Sequence, residues 1–280
     1  MERRAAPGGA AVLAAVVLSA LLSACGGREQ ACPGSLPVPQ RLVPEVVGTL
    51  PHATDAFTEG LLVRDGRIYE STGLEGRSSL RVLDLQTGAQ QQRVDLPADL
   101  FGEGLAEGPD DTLLQLTWKN RTALVWDRAT LRRTGSHRYR GEGWGITTLP
   151  GGDVIMSNGS DRLTYRSART FRVLRTTTVR RKGGAADQLN ELEFARSAGR
   201  DVVWANRWQT DEILRIDLEC GVVTGVVDAS ALADRARTAT SATGTTPDVL
   251  NGIAALPGTD RFLLTGKFWS SFYEVRFREQ

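Results

Sequence analysis

The chain has 280 residues, 41% of them hydrophobic and 24% charged, with 34 lysines and arginines against 33 acidic side chains. That balance excludes a general polyanion or nucleic-acid binder, which needs surplus positive charge for phosphate contacts, and the apolar share excludes disorder by composition. Two histidines and three cysteines leave little material for a nitrogen- and sulfur-ligated zinc centre, so no metal or other cofactor is expected.

The first segment reads as a targeting sequence. Arg3 and Arg4 give a basic start, an apolar stretch runs from Ala10 to Leu22, and Leu22-Ser23-Ala24-Cys25 follows. An apolar run too short for a convincing bilayer span, behind a basic start, describes a secretory signal peptide. Its last four residues are similar to a bacterial lipobox, whose cysteine becomes the acylated first residue of the mature chain. Residues 1–24 are therefore expected to be a lipoprotein-type signal peptide, with lipid on Cys25 holding an extracytoplasmic domain at the bacterial membrane. Ordinary cleavage near Ala24, giving a secreted protein, is the alternative. Residues 25–40, with Gly26, Gly27, Pro33, Pro37 and Pro39, read as a flexible tether. Export leaves Cys32 and Cys220 in an oxidising compartment, where they form either one disulfide or two free thiols.

Beyond residue 50 no long segment keeps a helical period, and short β-rich runs recur between Gly, Asp and Pro turns. A strand opening repeats as Phe57-Thr58-Glu59-Gly60-Leu61, Phe101-Gly102-Glu103-Gly104-Leu105, Glu142-Gly143-Trp144-Gly145-Ile146, Gln188-Leu189-Asn190-Glu191-Leu192 and Val249-Leu250-Asn251-Gly252-Ile253. The positions aligned with Gly60 advance by 44, 41, 46 and 61 residues, and the polar stretch from Ala231 to Thr246 in the last interval reads as an inserted loop. Each opening is followed by further strands, such as Ile68 to Ser71, Leu80 to Leu85 and Gln91 to Leu96 in the first unit. Four strands per unit of this length describe a propeller blade. The fifth unit ends at Gln280 one strand short, and Val43 to Leu50 can supply the missing strand. The predicted fold of residues 41–280 is thus all-β, a five-bladed β-propeller whose ring is closed by an N-terminal strand pairing with the last blade. An unclosed β-sandwich is the competing architecture.

In a propeller the first strand of each blade runs beside the central channel, so equivalent positions converge. The position before the aligned glycine holds Glu59, Glu103, Trp144, Asn190 and Asn251. A packed core would not choose two carboxylates, two amides and an indole at one level, since burying them without partners costs a few kcal/mol each. The ends of the second strands add Trp118, Lys119, Asn158, Asn206, Trp208, Lys267 and Trp269. Lysine is informative here: only three of the 34 basic residues are lysines, and two of them fall at equivalent strand ends beside tryptophans. Each residue also has a structural reading. Trp118, Trp144 and Trp208 could pack blades, Asn190 could cap a turn, and Lys267 could pair with Glu59 or Glu103. His52 and His137 are placed outside the ring, on loops.

Taken together, Tyr69-Glu70-Ser71-Thr72-Gly73, Phe101-Gly102-Glu103-Gly104-Leu105, Leu116-Thr117-Trp118-Lys119, Glu142-Gly143-Trp144-Gly145, Leu189-Asn190-Glu191-Leu192-Glu193, Trp204-Ala205-Asn206-Arg207-Trp208, Asp248 to Ala254 and Thr265-Gly266-Lys267 resemble the plant and bacterial type of glutaminyl-peptide cyclotransferase. The resemblance runs in order from about residue 45 to 277. It implies a five-bladed propeller that converts N-terminal glutamine of peptides or proteins to pyroglutamate, releasing ammonia, without catalytic metal. It implies catalytic roles for Glu103, Asn190 and Lys267 and an aromatic enclosure of Phe57, Phe101, Trp118, Trp144 and Trp208. Two departures stand out: Glu59, counted here among the substrate-binding residues, replaces a usual glutamine beside the pocket, and Ser270 a usual proline. A monomer is the expectation for a closed ring. Two other functions stay open, a non-catalytic envelope propeller that binds a peptide or protein, and a calcium-dependent propeller hydrolase using Glu59, Glu103, Asn190 and Asn251.

Overall fold

The computed structural model describes residues 1–3 and 32–280. The signal peptide's apolar stretch, the lipobox and Cys25 lie outside the described residues. Of the tether, residues 32–39 form no strand or helix, and Cys32 is disulfide-bonded to Cys220 with 5.4 Å between Cα atoms. That bond fastens the start of the described chain to a turn between two strands.

Among the described residues the structure is all-β apart from one helix. The chain enters with β1 (Gln40–Pro51) and continues through β2 (Thr58–Arg64), β3 (Arg67–Thr72), β4 (Ser79–Asp84) and β5 (Gln90–Asp95). The next sets are β6 (Gly102–Glu107), β7 (Thr112–Thr117), β8 (Thr122–Asp127) and β9 (Arg133–Arg138), then β10 (Ile146–Thr148), β11 (Val154–Met156), β12 (Arg162–Arg166) and β13 (Val173–Thr178). There follow β14 (Leu189–Ser197), β15 (Arg200–Arg207), β16 (Glu212–Asp217) and β17 (Val222–Asp228), the helix α1 (Ser230–Ser241), and β18 (Leu250–Ala255), β19 (Arg261–Gly266) and β20 (Ser271–Glu279). Three antiparallel four-stranded sheets, β2–β5, β6–β9 and β10–β13, stand beside an eight-stranded one of order β14-β15-β16-β17-β1-β20-β19-β18. In the large sheet β1 runs antiparallel to β20 from Leu42 opposite Glu279 to Pro51 opposite Ser271, and its first residues, Gln40 to Leu42, run parallel to the end of β17, Gly225 to Val227.

These sheets are propeller-like. In the three four-stranded sheets the last strand is the exposed one: β2, β3 and β4 are almost wholly buried, whereas β5, like β9 and β13, is exposed along most of its length. The sequence follows this gradient, Leu61 to Val63 giving way to Gln90-Gln91-Gln92-Arg93. The faces pack on one another through apolar side chains; Tyr69, Leu80 and Val82 of one sheet meet Leu105, Leu113, Leu124 and Trp126 of the next. First strands adjoin in order, β2 with β6, β6 with β10, β10 with β14, β14 with β18, and β18 with β2. Their approach is close enough to demand glycine: a Cβ on Gly104 would lie 2.5 Å from the Trp144 carbonyl oxygen, and one on Gly145 would lie 2.1 Å from that of Asn190. In the fourth set the aligned residue is Glu191, whose buried carboxylate accepts the backbone N–H groups of Leu61 (3.2 Å) and Ile253 (3.0 Å).

One predicted element is corrected. Most of the segment read as an inserted loop, 231–246, is helix α1, because Leu232, Ala233, Ala236 and Thr240 share a face that packs on the large sheet. Two of those four residues are alanine and one is threonine, so the face's apolar contrast with the polar side is small and the period is hard to see in sequence. The helix is held by Arg237, which grips Asp211 through both its terminal nitrogens (3.1 and 3.0 Å), and by Thr240, whose Oγ1 accepts the Ser270 N–H (2.9 Å). Ser270 is where the resemblance expects proline, and proline has no N–H for this bond.

Candidate active site

The repeat that placed Glu59, Glu103, Asn190 and Asn251 at one level has a structural cause. In β2, β6, β14 and β18 the ladder register breaks at these residues: between Thr58 and Gly60, Gly102 and Leu105, Leu189 and Leu192, and Leu250 and Ile253. A β-bulge frees a residue from its place in the pleat and re-aims its side chain. The third set differs, since Trp144 precedes β10 and carries no strand pairing of its own. Hydroxyl groups then pin the bulged backbone. Ser71 Oγ donates to the Glu103 carbonyl oxygen, Gln115 Nε2 donates to Ser71 Oγ (2.7 Å), and Ser157 Oγ donates to the Asn190 carbonyl oxygen (2.7 Å).

Glu59, Glu103, Asn190 and Lys267 meet in one cavity of about 340 Å³, walled by Phe57, Phe101, Trp118, Trp144 and Trp208. All nine residues singled out in the sequence as catalytic or substrate-binding line it. Gln209, Asp248 and Val249 also line it and were given no role in the sequence reading; they flank Trp208 and the Leu250-Asn251-Gly252 opening, which was the available signal. Asn251 lies behind the cavity and holds Glu59, its Nδ2 donating to Glu59 Oε2 and to the Thr58 carbonyl oxygen, each at 3.0 Å. Lys119 points away and stacks its ammonium 3.7 Å from the Trp118 ring centre. Trp269 is buried against Gly266 as a packing residue, and Asn206 is buried with its Oδ1 accepting the Gly252 N–H. Neither histidine enters the site. His52 is buried against Glu70, and His137 sits on β9, not on a loop, stacked over Phe171.

The electrostatics are uneven. Lys267 Nζ lies 2.8 Å from Glu59 Oε1 and 4.4 Å from the Phe57 ring centre. Burial pushes the Glu59 carboxyl up to about 6, against the pull of Lys267 and with a push from Asp248. Glu103 is held well above the usual carboxylate range, first by burial, then by the Glu59 charge; Lys267 opposes and Glu142 adds to the rise. Burial and neighbouring charges account for that shift, and among the described residues no hydrogen bond to its carboxylate contributes. The Asn190 Oδ1 is likewise buried without a hydrogen-bond partner. The site thus offers a carboxyl of raised proton affinity, a lysine amine and an amide around one enclosed space. Among the described residues, no cluster of three or more His, Cys, Asp or Glu side chains is placed to hold a metal ion.

Propeller-like sheets with an aromatic-walled acid–base cavity at the ends of their first strands define a class, an enzyme-like pocket for proton transfer on a small enclosed group. Residues 14–277 match the family described as Glutamine cyclotransferase, and the chain belongs to that family. It is 35% identical over 237 residues to the glutaminyl-peptide cyclotransferase of Arabidopsis thaliana, covering 84% of this chain and 71% of that protein. Among solved structures it is similar to the glutaminyl cyclase of Myxococcus xanthus, with 36% identity and a TM-score of 0.76 over 86% of this chain and 99% of that one.

Proposed function

We propose that the protein cyclises N-terminal glutamine of peptides or proteins to pyroglutamate with release of ammonia, using its own side chains for every proton transfer and no metal ion. The observation that carries this reading is the Glu103 carboxyl, buried in an aromatic-walled cavity beside Lys267 and Asn190. Membership of the family supports it, as do the names of the two relatives.

The reaction joins the α-nitrogen of glutamine to its own side-chain carbonyl carbon and breaks the bond from that carbon to the amide nitrogen. One proton must leave the α-nitrogen and one must reach the departing nitrogen. A flexible side chain has to be folded back on its own backbone, an orientation task suited to rigid indole walls. Glu103 accepts the first proton and delivers it to the leaving ammonia; a carboxyl whose affinity for protons is raised by burial is the better acceptor and still able to give the proton back. Lys267 and Asn190 donate to the carbonyl oxygen as negative charge develops there. Glu59 and Asn251 keep the ammonium of Lys267 in place.

The same reading takes the five strand sets as five blades closed into a ring by β1. Support comes from the adjoining first strands, β18 beside β2 included, and from the pairing of β1 with β20. Export, acylation of Cys25 and a monomeric state complete the proposal, and the Cys32–Cys220 disulfide suits an oxidising compartment. A Cys25→Ser variant should leave the membrane fraction. The central test is ammonia release from a short peptide that begins with glutamine, with excess EDTA present. Product lighter by one ammonia supports the cyclase without metal. Release that needs added calcium would move the site to a hydrolase-like chemistry, and no release in either condition would leave a binding pocket.

A further inference from the structure

The aromatic wall is a series of edge contacts with one interruption. Phe268 meets Phe57 at 5.1 Å between ring centres, Phe57 meets Phe101 at 6.1 Å, and Phe101 meets Trp118 at 5.5 Å. On the other side Trp144 meets Trp208 at 5.4 Å. Trp118 and Trp144 are joined instead by a carboxylate. One oxygen of Glu142, Oε2, accepts the indole N–H of Trp118 at 2.8 Å and that of Trp144 at 3.1 Å. The backbone repeats the link, because Gly143 N–H donates to the Trp118 carbonyl oxygen at 3.1 Å. An indole N–H drawn from water needs an acceptor, and an ionised carboxylate is the strong one. Glu142 is itself half-buried and stands behind the wall, not in it.

We propose that Glu142 is a positioning residue for the cyclisation: it locks Trp118 and Trp144 into one rigid surface against which the glutaminyl side chain is folded. The inference rests on the proposed cyclase reading. Without Glu142 the wall falls into two parts, each still anchored by its own neighbours, so the protein folds but the substrate is held loosely. A misplacement of about 1 Å in a site of this kind costs as much as roughly a hundredfold in rate.

Two measurements on the mature chain test it together. The first reads the six indole N–H signals by proton–nitrogen correlation spectroscopy, with Trp118→Phe and Trp144→Phe to assign two of them. Glu142→Ala should move those two and leave Trp126 and Trp269, which donate to Gln115 and the Asp248 carbonyl, where they are. The second is kinetics. Glu142→Ala should lower kcat/KM about 10- to 100-fold, with KM rising as well as kcat falling, while Glu142→Gln, which keeps an acceptor oxygen, returns to within about threefold of wild type. Unmoved indole signals overturn the clamp. Moved signals with kcat/KM unchanged overturn its role in catalysis. Should Glu142→Ala fail to fold, Glu142→Asp carries the test, since its shorter arm cannot hold both indoles. A wild type that releases no ammonia sinks the cyclase reading and the catalytic half of this inference. That outcome is distinct from an active wild type indifferent to Glu142→Ala.

Discussion

Two buried acid–base pairs in this protein have similar chemistry and opposite surroundings. His52 Nε2 lies 2.7 Å from Glu70 Oε1, Thr58 Oγ1 donates to the same oxygen at 2.7 Å, and Thr265 Oγ1 lies 3.1 Å from the other ring nitrogen. Burial works to raise the Glu70 carboxyl, yet the His52 and Arg81 charges outweigh it and hold it below the usual range. Both side chains are fully enclosed. The pair of Lys267 and Glu59 is nearly as buried, but it faces a cavity and has Glu103 beside it, a second carboxyl with no cation of its own. Where neighbouring charges favour the ionised acid, the result is a structural joint. Where one acid is left over and reaches open space, the result is a group able to exchange protons with a ligand.

Removing the leftover acid should have the largest effect. Glu103→Gln is expected to lower kcat/KM by about a thousandfold or more, within the range for loss of a general acid–base group. Stability should move the other way. The folded state raises the Glu103 pKa, so between its unfolded value and its folded one the native protein holds a proton that the unfolded chain has lost. Wild-type stability therefore falls as pH rises through that interval. Glu103→Gln removes the fall, so its unfolding midpoint should match or exceed wild type at pH 8 and show less advantage at low pH. Turnover retained in Glu103→Gln would strike this residue from the mechanism.

Taking the cation from the site is the next step down. Lys267→Met should lower kcat about 100- to 1,000-fold, the scale of losing one donor to a developing oxyanion. It also leaves Glu59 buried without its partner, so a loss of stability should accompany the loss of rate. The matching change in the structural pair, His52→Leu, should cost about 3–5 kcal/mol because it strands the Glu70 charge. In the fraction that stays folded, kcat/KM should be unchanged. A folded His52→Leu protein without activity would mean that the two pairs are not separate in function.

The contrast between the pairs was only partly legible in sequence. Glu59, Glu103, Asn190 and Asn251 could be found because the same bulge recurs in four first strands, followed by glycine in three of them and by Leu or Ile two residues on in all four. Lys267 showed through the scarcity of lysine. Trp118 and Trp208 stood out at strand ends, but the aromatic wall as a whole was what the family resemblance implied. His52 and Glu70 could not be paired, since they are joined only when β3 brings Glu70 under a loop that no repeat marks. The same holds for Glu142: its place before Gly143 was visible, but not that a single oxygen serves two indoles. Helix α1 was hidden by its alanines, and the place of Gln209 and Asp248 in the cavity lining by their position just outside the repeated motifs.

The smallest expected effect is the sharpest probe of the difference, because it alters charge with little change of shape. Glu59 stands where the family resemblance expects glutamine, and Glu59→Gln restores that residue while keeping an oxygen for Asn251 to reach. Two consequences act on Glu103 in the same direction. A negative charge that favours the protonated form of Glu103 disappears, and Lys267, relieved of its partner, exerts its pull on Glu103 alone. Both lower the proton affinity of Glu103, while burial and the more distant Glu142 continue to raise it. The base form then persists further into acid, so the acid limb of the kcat/KM profile should move to lower pH. A limb that stays in place would show that the Glu59 charge is fully absorbed by Lys267. Loss of the acid limb together with most of the turnover would mean that Glu59, not Glu103, is the carboxyl that titrates in catalysis, and the two acids would exchange roles.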